Sequence, residues 1–259
     1  MAQTRRLLKW RDTMKLILLG TSGYHPSDDR QTACLMLPEA GVILDAGTAM
    51  YRARRYLETS ELDVFLTHAH LDHVIGITYL LDVLRDKNIS RVTVHAEADK
   101  LAAINEHLFA EALFPVRPSC EFRPLAGPVP LPLSGQLTHF PLAHPGGAVG
   151  FRLDWPGHSM AYVTDTTARP GANYVDAIRG VNLLVHECYF PDSKADLATL
   201  TGHSVTTPVA QVARDAEVEQ LVLVHVDPLA DDADPLDLQV ARAIFPATRL
   251  GRDLMELDF

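Results

Sequence analysis

Four side chains that could bind metal fall within six consecutive positions of the chain. The pattern His-x-His-x-Asp-His contributes His68, His70, Asp72 and His73 and directly follows the apolar run Val64 to Leu66. That run predicts a short buried strand that ends at the histidines. His68 and His70 should point to the same side, because side chains alternate along a strand with a period of two. Asp72 and His73 follow the strand, where the chain turns, and can point at a second spot nearby.

Imidazole and carboxylate groups are the usual protein ligands of zinc and of similar divalent ions. Two adjacent ligand sets therefore predict two metal ions. The alternative is a polar surface loop that happens to contain histidines. The density of the pattern and its apolar flanks on both sides favour the metal site.

Composition restricts the classes of function. The 259 residues are 47% hydrophobic, enough for a substantial core, and the formal net charge is −10. This charge argues against a broad nucleic-acid-binding surface, although it does not exclude a local basic patch. Three widely spaced cysteines provide no disulfide framework and predict a reducing, cytoplasmic location. No apolar run approaches the length of a membrane span, so we expect no membrane association.

The chain shows no compositional break that would divide it. Residues 1–13 are basic but lack the apolar core of a signal peptide, and we expect a disordered leader. Residues 14–259 are expected to form a single domain.

Short strands and helices alternate along the sequence. Strands are predicted at 15–19, 34–37, 42–44, 91–95, 148–153 and 220–225, and helices at 48–59, 74–87, 97–109 and 205–216. Thr48 is a plausible N-cap. The proline-rich stretch 115–135 predicts irregular connections or edge strands, because proline cannot donate a hydrogen bond to a neighbouring strand.

The pattern from His68 to His73 resembles the signature of the metallo-β-lactamase superfamily. This resemblance implies an α/β fold in which two mixed β-sheets pack in a sandwich flanked by helices, an αββα arrangement. It also implies a metal site at one edge of the sandwich. The Asp45-Ala46-Gly47 segment matches a position that supports the metal loop in the family, so Asp45 is expected to hold a ligand and not to be one.

The resemblance supplies the remaining metal ligands. His144, in a Pro-Leu-x-His segment followed by two glycines, matches the family's third motif, and His139 is the alternative. Asp165 ends an apolar strand and matches the carboxylate that bridges two ions; otherwise it would cap the next segment. His225 matches the last ligand. His68, His70 and His144 would then hold one ion and Asp72, His73 and His225 the other, with Asp165 shared.

Two further motifs narrow the branch of the superfamily. The segment around Glu187 and the Gly-His-Ser segment containing His203 resemble motifs of the ribonuclease Z branch. There the histidine sits over the phosphodiester and a glutamate orients it, so His203 and Glu187 are expected to act as an acid and its orienting partner. The alternative makes Glu187 a salt-bridge partner and His203 an ordinary residue at the start of a helix.

The chain also departs from ribonuclease Z. The long tRNA-binding arm is missing, because only a predicted hairpin separates His144 from Asp165. We therefore predict a hydrolase with two divalent ions, zinc or else manganese or iron, in which a bridging hydroxide attacks small or cyclic phosphodiesters. Asp72 would aim the attacking water. A tRNA substrate is not expected, and a homodimer is left open. The alternative is a hydrolase of carboxyl esters, lactones or lactams on the same fold, and a metal-dependent regulator without turnover is a third class.

Overall fold

Two seven-stranded sheets pack face to face, with helices on both outer surfaces, in a computed structural model that describes residues 13–259. The αββα sandwich expected from the sequence is confirmed. The leader predicted for residues 1–13 lies, apart from Thr13, outside the described residues.

The first sheet contains the N-terminal strands β1 to β6 together with the C-terminal strand β14. Its strand order is β14-β1-β2-β3-β4-β5-β6, and β3, β4, β5 and β6 run parallel to one another. The strands are β1 (Lys15–Gly20), β2 (Cys34–Leu37), β3 (Val42–Leu44), β4 (Glu61–Phe65), β5 (Arg91–Ala96), β6 (Glu121–Pro124) and β14 (Met255–Asp258).

The second sheet has the order β13-β12-β11-β10-β9-β8-β7, and β10 to β13 are parallel. The strands are β7 (Val129–Leu131), β8 (Gly135–Leu142), β9 (Ala148–Trp155), β10 (His158–Val163), β11 (Leu183–Glu187), β12 (Gln220–Val224) and β13 (Thr248–Leu250). The predicted hairpin between His144 and Asp165 is β9 and β10, joined by a tight turn.

Successive side chains of a strand face opposite sides of its sheet, so each sheet contributes to the core between the sheets and to an outer core under the helices. Leu16, Leu18 and Leu44 point into the space between the sheets, where they meet Phe151 and Tyr162 of the second sheet. The intervening residues of the first sheet face outward and pack on helices, as do those of the second sheet on its own helical layer. Both faces of each sheet are therefore buried, which explains why the central strands are apolar throughout.

The proline-rich stretch forms edge strands, as expected. β6 ends the first sheet and β7 ends the second, and both contain proline at a position where no further strand needs its N–H.

The helices are shorter than the sequence pattern predicts. They are α1 (Leu71–Val74), α2 (Leu80–Val83), α3 (Ala98–Ala103), α4 (Ala195–Thr201), α5 (Thr206–Asp215) and α6 (Leu238–Ile244). Four 3-10 helices lie at Pro38–Ala40, Thr48–Arg55, Ile75–Tyr79 and Asp192–Lys194, and a π-helical turn at Ile104–Leu108 extends α3.

The continuous helix predicted for residues 74–87 is wrong. The chain forms α1, then the 3-10 turn Ile75–Tyr79, then α2. The interruption arises because the Gly76 N–H donates to the Ala46 carbonyl at 2.7 Å instead of to its own helix. This bond holds the segment with the candidate metal ligands against the loop after β3.

The role predicted for Thr48 is also wrong. Gly47 occupies the cap position, and Thr48 is the first residue of the 3-10 helix. Its N–H donates to the Thr32 hydroxyl at 2.8 Å, while its own hydroxyl accepts the Thr32 N–H at 2.9 Å. Thr48 therefore joins two loops of the first sheet.

Candidate metal centre and hydrolytic site

The candidate site lies where parallel strands of both sheets end. Asp45 follows β3, Asp165 follows β10 and His225 follows β12, and all three have left-handed backbone conformations with φ of 58°, 52° and 57°. Aspartate and histidine tolerate this conformation better than most residues do. In each case the strand stops and the side chain is directed toward the same edge of the sandwich.

The first group of candidate ligands contains His68, His70, His144 and Asp165. His144 Nε2 lies 3.3 Å from His70 Nδ1 and 3.6 Å from Asp165 Oδ1. His68 Nε2 lies 3.8 Å from the same carboxylate oxygen. These nitrogens surround one point, as ligands of a single ion would.

The second group contains Asp72, His73 and His225. His73 Nε2 and His225 Nε2 are 3.1 Å apart, and they lie 3.3 and 3.4 Å from Asp72 Oδ2. Asp165 Oδ2 lies 3.1 Å from His73 Nε2 and 3.3 Å from His225 Nε2. The two oxygens of Asp165 thus face different groups.

Asp45 holds the second group in place. It is fully buried, and its Oδ2 lies 2.8 Å from His73 Nδ1 and 3.0 Å from the Tyr162 hydroxyl. Its Oδ1 accepts the Thr67 N–H at 2.8 Å. One carboxylate therefore fixes the ring of His73 and the residue before His68, which is the usual role of a partner behind a metal ligand.

The donor set fits divalent ions. His68 Nε2 is buried and has no hydrogen-bond partner among the described residues, although it points at Asp165. A buried acceptor without a partner is costly, and a cation at this point would satisfy it. The contact between His73 Nε2 and His225 Nε2 likewise brings together two lone pairs that need a proton or a cation between them.

The protonation states of most of these groups fit divalent ions, whereas the pKa of His73 is raised, because burial lowers it less than the charges of Asp165, Asp72 and Asp45 raise it. Burial lowers the pKa of His68, His70 and His144, which keeps these imidazoles neutral, as metal ligation requires. Burial raises the pKa of Asp165, but His225, His73 and His68 outweigh this effect and hold the pKa well below its ordinary value. Asp165 is therefore ionised.

His203 and Glu187 form a pair beside this cluster, and His203 also forms a third potential metal-binding group with Asp165 and His225. His203 Nδ1 lies 3.2 Å from Glu187 Oε1, and Glu187 also accepts the backbone N–H groups of Thr166 at 2.7 Å and Ser204 at 3.2 Å. Tyr189 stacks on the His203 ring with centroids 4.5 Å apart. Burial lowers the pKa of His203, but the charge and hydrogen bond of Glu187 outweigh it, so the pKa is raised.

The glycine-bearing turn after β1 also reaches the cluster. A Cβ at Gly23 would lie 2.6 Å from the His225 ring and 2.6 Å from the Tyr189 ring, so only glycine fits this approach. The next residue, Tyr24, donates its N–H to Asp72 Oδ2 at 2.9 Å.

All seven predicted metal ligands lie together, and the predicted pair of His203 and Glu187 lies beside them. His139 belongs to no potential metal-binding group in residues 13–259, so the geometry favours His144. Sequence reasoning missed three contributors: Tyr162, Tyr189 and the Tyr24 N–H. Tyr189 lies in the motif around Glu187, so the sequence contained a signal for it. No sequence pattern indicates the role of Tyr162, because its contact with Asp45 is made from the opposite sheet.

No helix in the described part of the chain is long and apolar enough to cross a membrane.

Comparisons with known proteins agree on one family. A model described as the beta-lactamase superfamily domain matches residues 41–226. Ribonuclease Z of Synechococcus sp. (strain CC9605) is 31% identical, in an alignment that covers 95% of this chain and 98% of that protein. The metallo-beta-lactamase fold protein YhfI of Bacillus subtilis superimposes with a TM-score of 0.80 at 18% identity, covering 96% of this chain and all of YhfI. The short form of human tRNase Z gives 0.71 at 19% identity, covering 94% and 98%. The chain belongs to the metallo-β-lactamase superfamily and is a metal-dependent hydrolase of its ribonuclease Z and phosphodiesterase type.

Proposed function

We propose that the protein is a dinuclear phosphodiesterase that hydrolyses small or cyclic phosphodiesters. The observation that carries this proposal is the placement of the carboxylate of Asp165 between two ligand groups, with an imidazole–carboxylate pair beside them. The first feature supports two ions at one site. The second supports proton transfer to a leaving group.

In this proposal the ions are zinc, manganese or iron, because imidazole and carboxylate ligands suit all three. His68, His70 and His144 would hold one ion, Asp72, His73 and His225 would hold the other, and the carboxylate of Asp165 would serve both groups. Bound there, the ions would supply Lewis acidity toward phosphoryl oxygens and lower the pKa of water.

In this proposal, side chains of the protein orient the attacking water and protonate the leaving oxygen. Asp72 accepts a hydrogen bond from the attacking water and orients it. His203 donates a proton to the leaving oxygen, and Glu187 keeps the imidazole protonated and fixes its Nδ1. Tyr189 stacks on the ring of His203 and limits the rotation of that ring.

The preference for small substrates rests on what is missing between His144 and Asp165. The turn between β9 and β10 contains only Pro156 and Gly157. The alignment with the Synechococcus ribonuclease Z extends over 314 positions, more than the 259 residues of this chain, so that relative contains segments with no counterpart here. With its arm absent and its charge negative, the chain offers little surface for a tRNA.

The proposal is tested by metal analysis together with a substrate panel. We expect close to two divalent ions per chain and turnover of p-nitrophenyl phosphodiesters and cyclic nucleotides. His68→Ala should lose metal and activity together, whereas His139→Ala, which removes a histidine of β8 outside the cluster, should retain both.

Two results would contradict the proposal. One is a His68→Ala variant that stays fully metallated and fully active. The other is hydrolysis of lactones, carboxyl esters or nitrocefin without any turnover of phosphodiesters, which would favour the alternative class of substrate.

A further inference from the structure

Three features of Tyr24 together bear on its role. Its backbone N–H binds a candidate metal ligand, its φ is 56°, and its side chain is 75% exposed. A left-handed backbone is unfavourable for a bulky aromatic residue and is easily adopted by glycine or asparagine. The N–H contact to Asp72 would be made equally well by those residues. The contact therefore explains the conformation but does not explain the tyrosine.

The loop is held rigidly on both sides of Tyr24. The Gly23 N–H donates to the Val226 carbonyl at 3.1 Å, and the His25 N–H donates to the Gly23 carbonyl at 2.7 Å. The Ser22 hydroxyl donates to the His25 carbonyl at 3.0 Å. The ring of Tyr24 is thus presented from a fixed backbone, which reduces the entropy lost when a ligand binds against it.

The ring of Tyr24 makes few interactions within the described chain. Its one aromatic neighbour in the described chain is His25, in an edge contact with centroids 5.5 Å apart. The residue stays largely exposed although its backbone N–H contacts Asp72. Leu71, adjacent in sequence to Asp72, is also an apolar residue and is 66% exposed.

We infer that Tyr24 forms a stacking subsite for a planar ring of the substrate, such as a nucleobase, next to the phosphodiester. An aromatic face stacks on any base without requiring a particular hydrogen-bonding pattern. The subsite would therefore select phosphodiesters that carry a planar group without strongly distinguishing one base from another. This inference rests on the proposed function, since it places the base of a diester beside the phosphate bound at the metal centre.

The kinetic test uses two substrates with the same leaving group. Thymidine 5′-(p-nitrophenyl phosphate) carries a base on the retained side, and methyl p-nitrophenyl phosphate does not. Tyr24→Ala should lower the ratio of their kcat/KM values at least about fivefold, mainly through KM for the thymidine substrate. Tyr24→Phe should restore the ratio, because the ring face and not the hydroxyl makes the contact. Tyr51→Ala, which removes another exposed tyrosine outside the cluster, is the matched control and should leave the ratio unchanged.

A binding measurement separates failure of this inference from failure of the proposed function. Calorimetric titration of the metal-loaded protein with adenosine 5′-monophosphate and with ribose 5-phosphate requires no turnover. Tighter binding of the base-bearing ligand, lost in Tyr24→Ala and kept in Tyr24→Phe, would support the subsite even if neither diester were hydrolysed. Equal affinities for the two ligands in the wild type would overturn it. So would an equal loss on both diesters in Tyr24→Ala, since that result would indicate a purely structural loop.

Discussion

At the scale of single residues, the partner of each histidine distinguishes the candidate metal ligands from the candidate proton donor. Burial lowers the pKa of His68, His70 and His144. His203 also lies near Asp165 and His225, but it is paired with Glu187, a carboxylate with no exposed surface. Both oxygens of that carboxylate also accept hydrogen bonds from backbone N–H groups. The orientation of His203 is therefore fixed by a group that does not itself reach the cluster.

The role proposed for His203, that of a general acid, predicts a dependence on the leaving group. His203→Ala should reduce turnover of diesters with a sugar or alkyl leaving group about a hundredfold or more, because such an alkoxide needs a proton as it departs. The loss should be much smaller with p-nitrophenolate, which leaves as a stable anion. Steady-state kinetics on one substrate of each kind measure the difference. Asp72→Ala, by contrast, should damage both substrates alike, and equal losses in His203→Ala would indicate phosphate positioning instead.

The same pair predicts a shift in the pH profile. The charge of Glu187 raises the pKa of His203, so activity that needs the protonated imidazole is lost as the pH rises through that pKa. Glu187→Gln removes the charge and should move the alkaline limb of kcat/KM for an alkyl diester to lower pH. An unchanged limb in this variant would show that another group titrates there.

Substitution of Asp45 is expected to weaken metal binding, although Asp45 is not itself a candidate ligand. Asp45→Asn weakens the contact that fixes His73 Nδ1 and should reduce affinity for the divalent ions about 10- to 100-fold. Competition with a chelator measures the change. Asp63→Asn is the matched control, because Asp63 lies 2.9 Å from the buried His95 in a similar pair outside the cluster. Comparable losses of metal in both variants would attribute the effect to general destabilisation.

At the scale of elements, the segment with the candidate ligands His68 to His73 is positioned by its contact with the loop after β3. The Ala46 N–H donates to the His73 carbonyl at 2.7 Å, and the Gly76 N–H donates to the Ala46 carbonyl. A Cβ at Gly76 would lie 2.3 Å from both the Gly47 carbonyl oxygen and the Met50 Cβ. The two backbones can approach this closely only because residue 76 is glycine.

Gly76→Ala should therefore destabilise the fold and loosen the site together. We expect a loss of about 1–3 kcal/mol in the free energy of unfolding, because the clash is with backbone and cannot be relieved by a rotamer change. Denaturant titration and metal analysis measure the two effects. Leu81→Ala, an exposed position on α2, should change stability by less than about 0.5 kcal/mol. A Gly76→Ala protein as stable as the wild type would mean that the loops can separate freely.

At the scale of the whole molecule, charge and shape bear on the size of the substrate. An acidic cleft of about 910 Å³ adjoins the candidate site through Val226 and is lined by Asp28, Asp29, Asp231 and Asp232 among others. Together with the net charge of −10, this cleft should repel a long polyanion.

We therefore expect weak binding of precursor tRNA. Titrations at two salt concentrations should show low affinity and a shallow dependence on salt, because few phosphates would be neutralised. Asp231→Asn combined with Asp232→Asn should strengthen binding, and a cyclic nucleotide assay would control for an intact centre. Tight, strongly salt-dependent binding with correct 3′ cleavage by the wild type would show that another surface replaces the arm.

The αββα sandwich and the candidate ligands could be predicted from the sequence, through its motifs and the family resemblance that they carry. Dense motifs such as residues 68–73 carry local information, and the strand that precedes each of Asp165 and His225 can be read from short apolar runs. The resemblance to the metallo-β-lactamase superfamily implies that these ligands meet at one edge of the sandwich. The separate helical turns between His73 and Val83 could not be predicted, because a hydrogen bond to Ala46, distant in sequence, interrupts the helix.

Which partners complete the site depends on how the chain folds. The structure favours His144, which the family's third motif also favours, because His144 Nε2 lies 3.3 Å from His70 Nδ1 and His139 belongs to no potential metal-binding group among residues 13–259. It places the hydroxyl of Tyr162 on Asp45 across the two sheets. It also brings the Tyr24 backbone to Asp72 and leaves the ring exposed. These contacts depend on how the sheets pack and on left-handed turns at the strand ends, and no local pattern of residues specifies either.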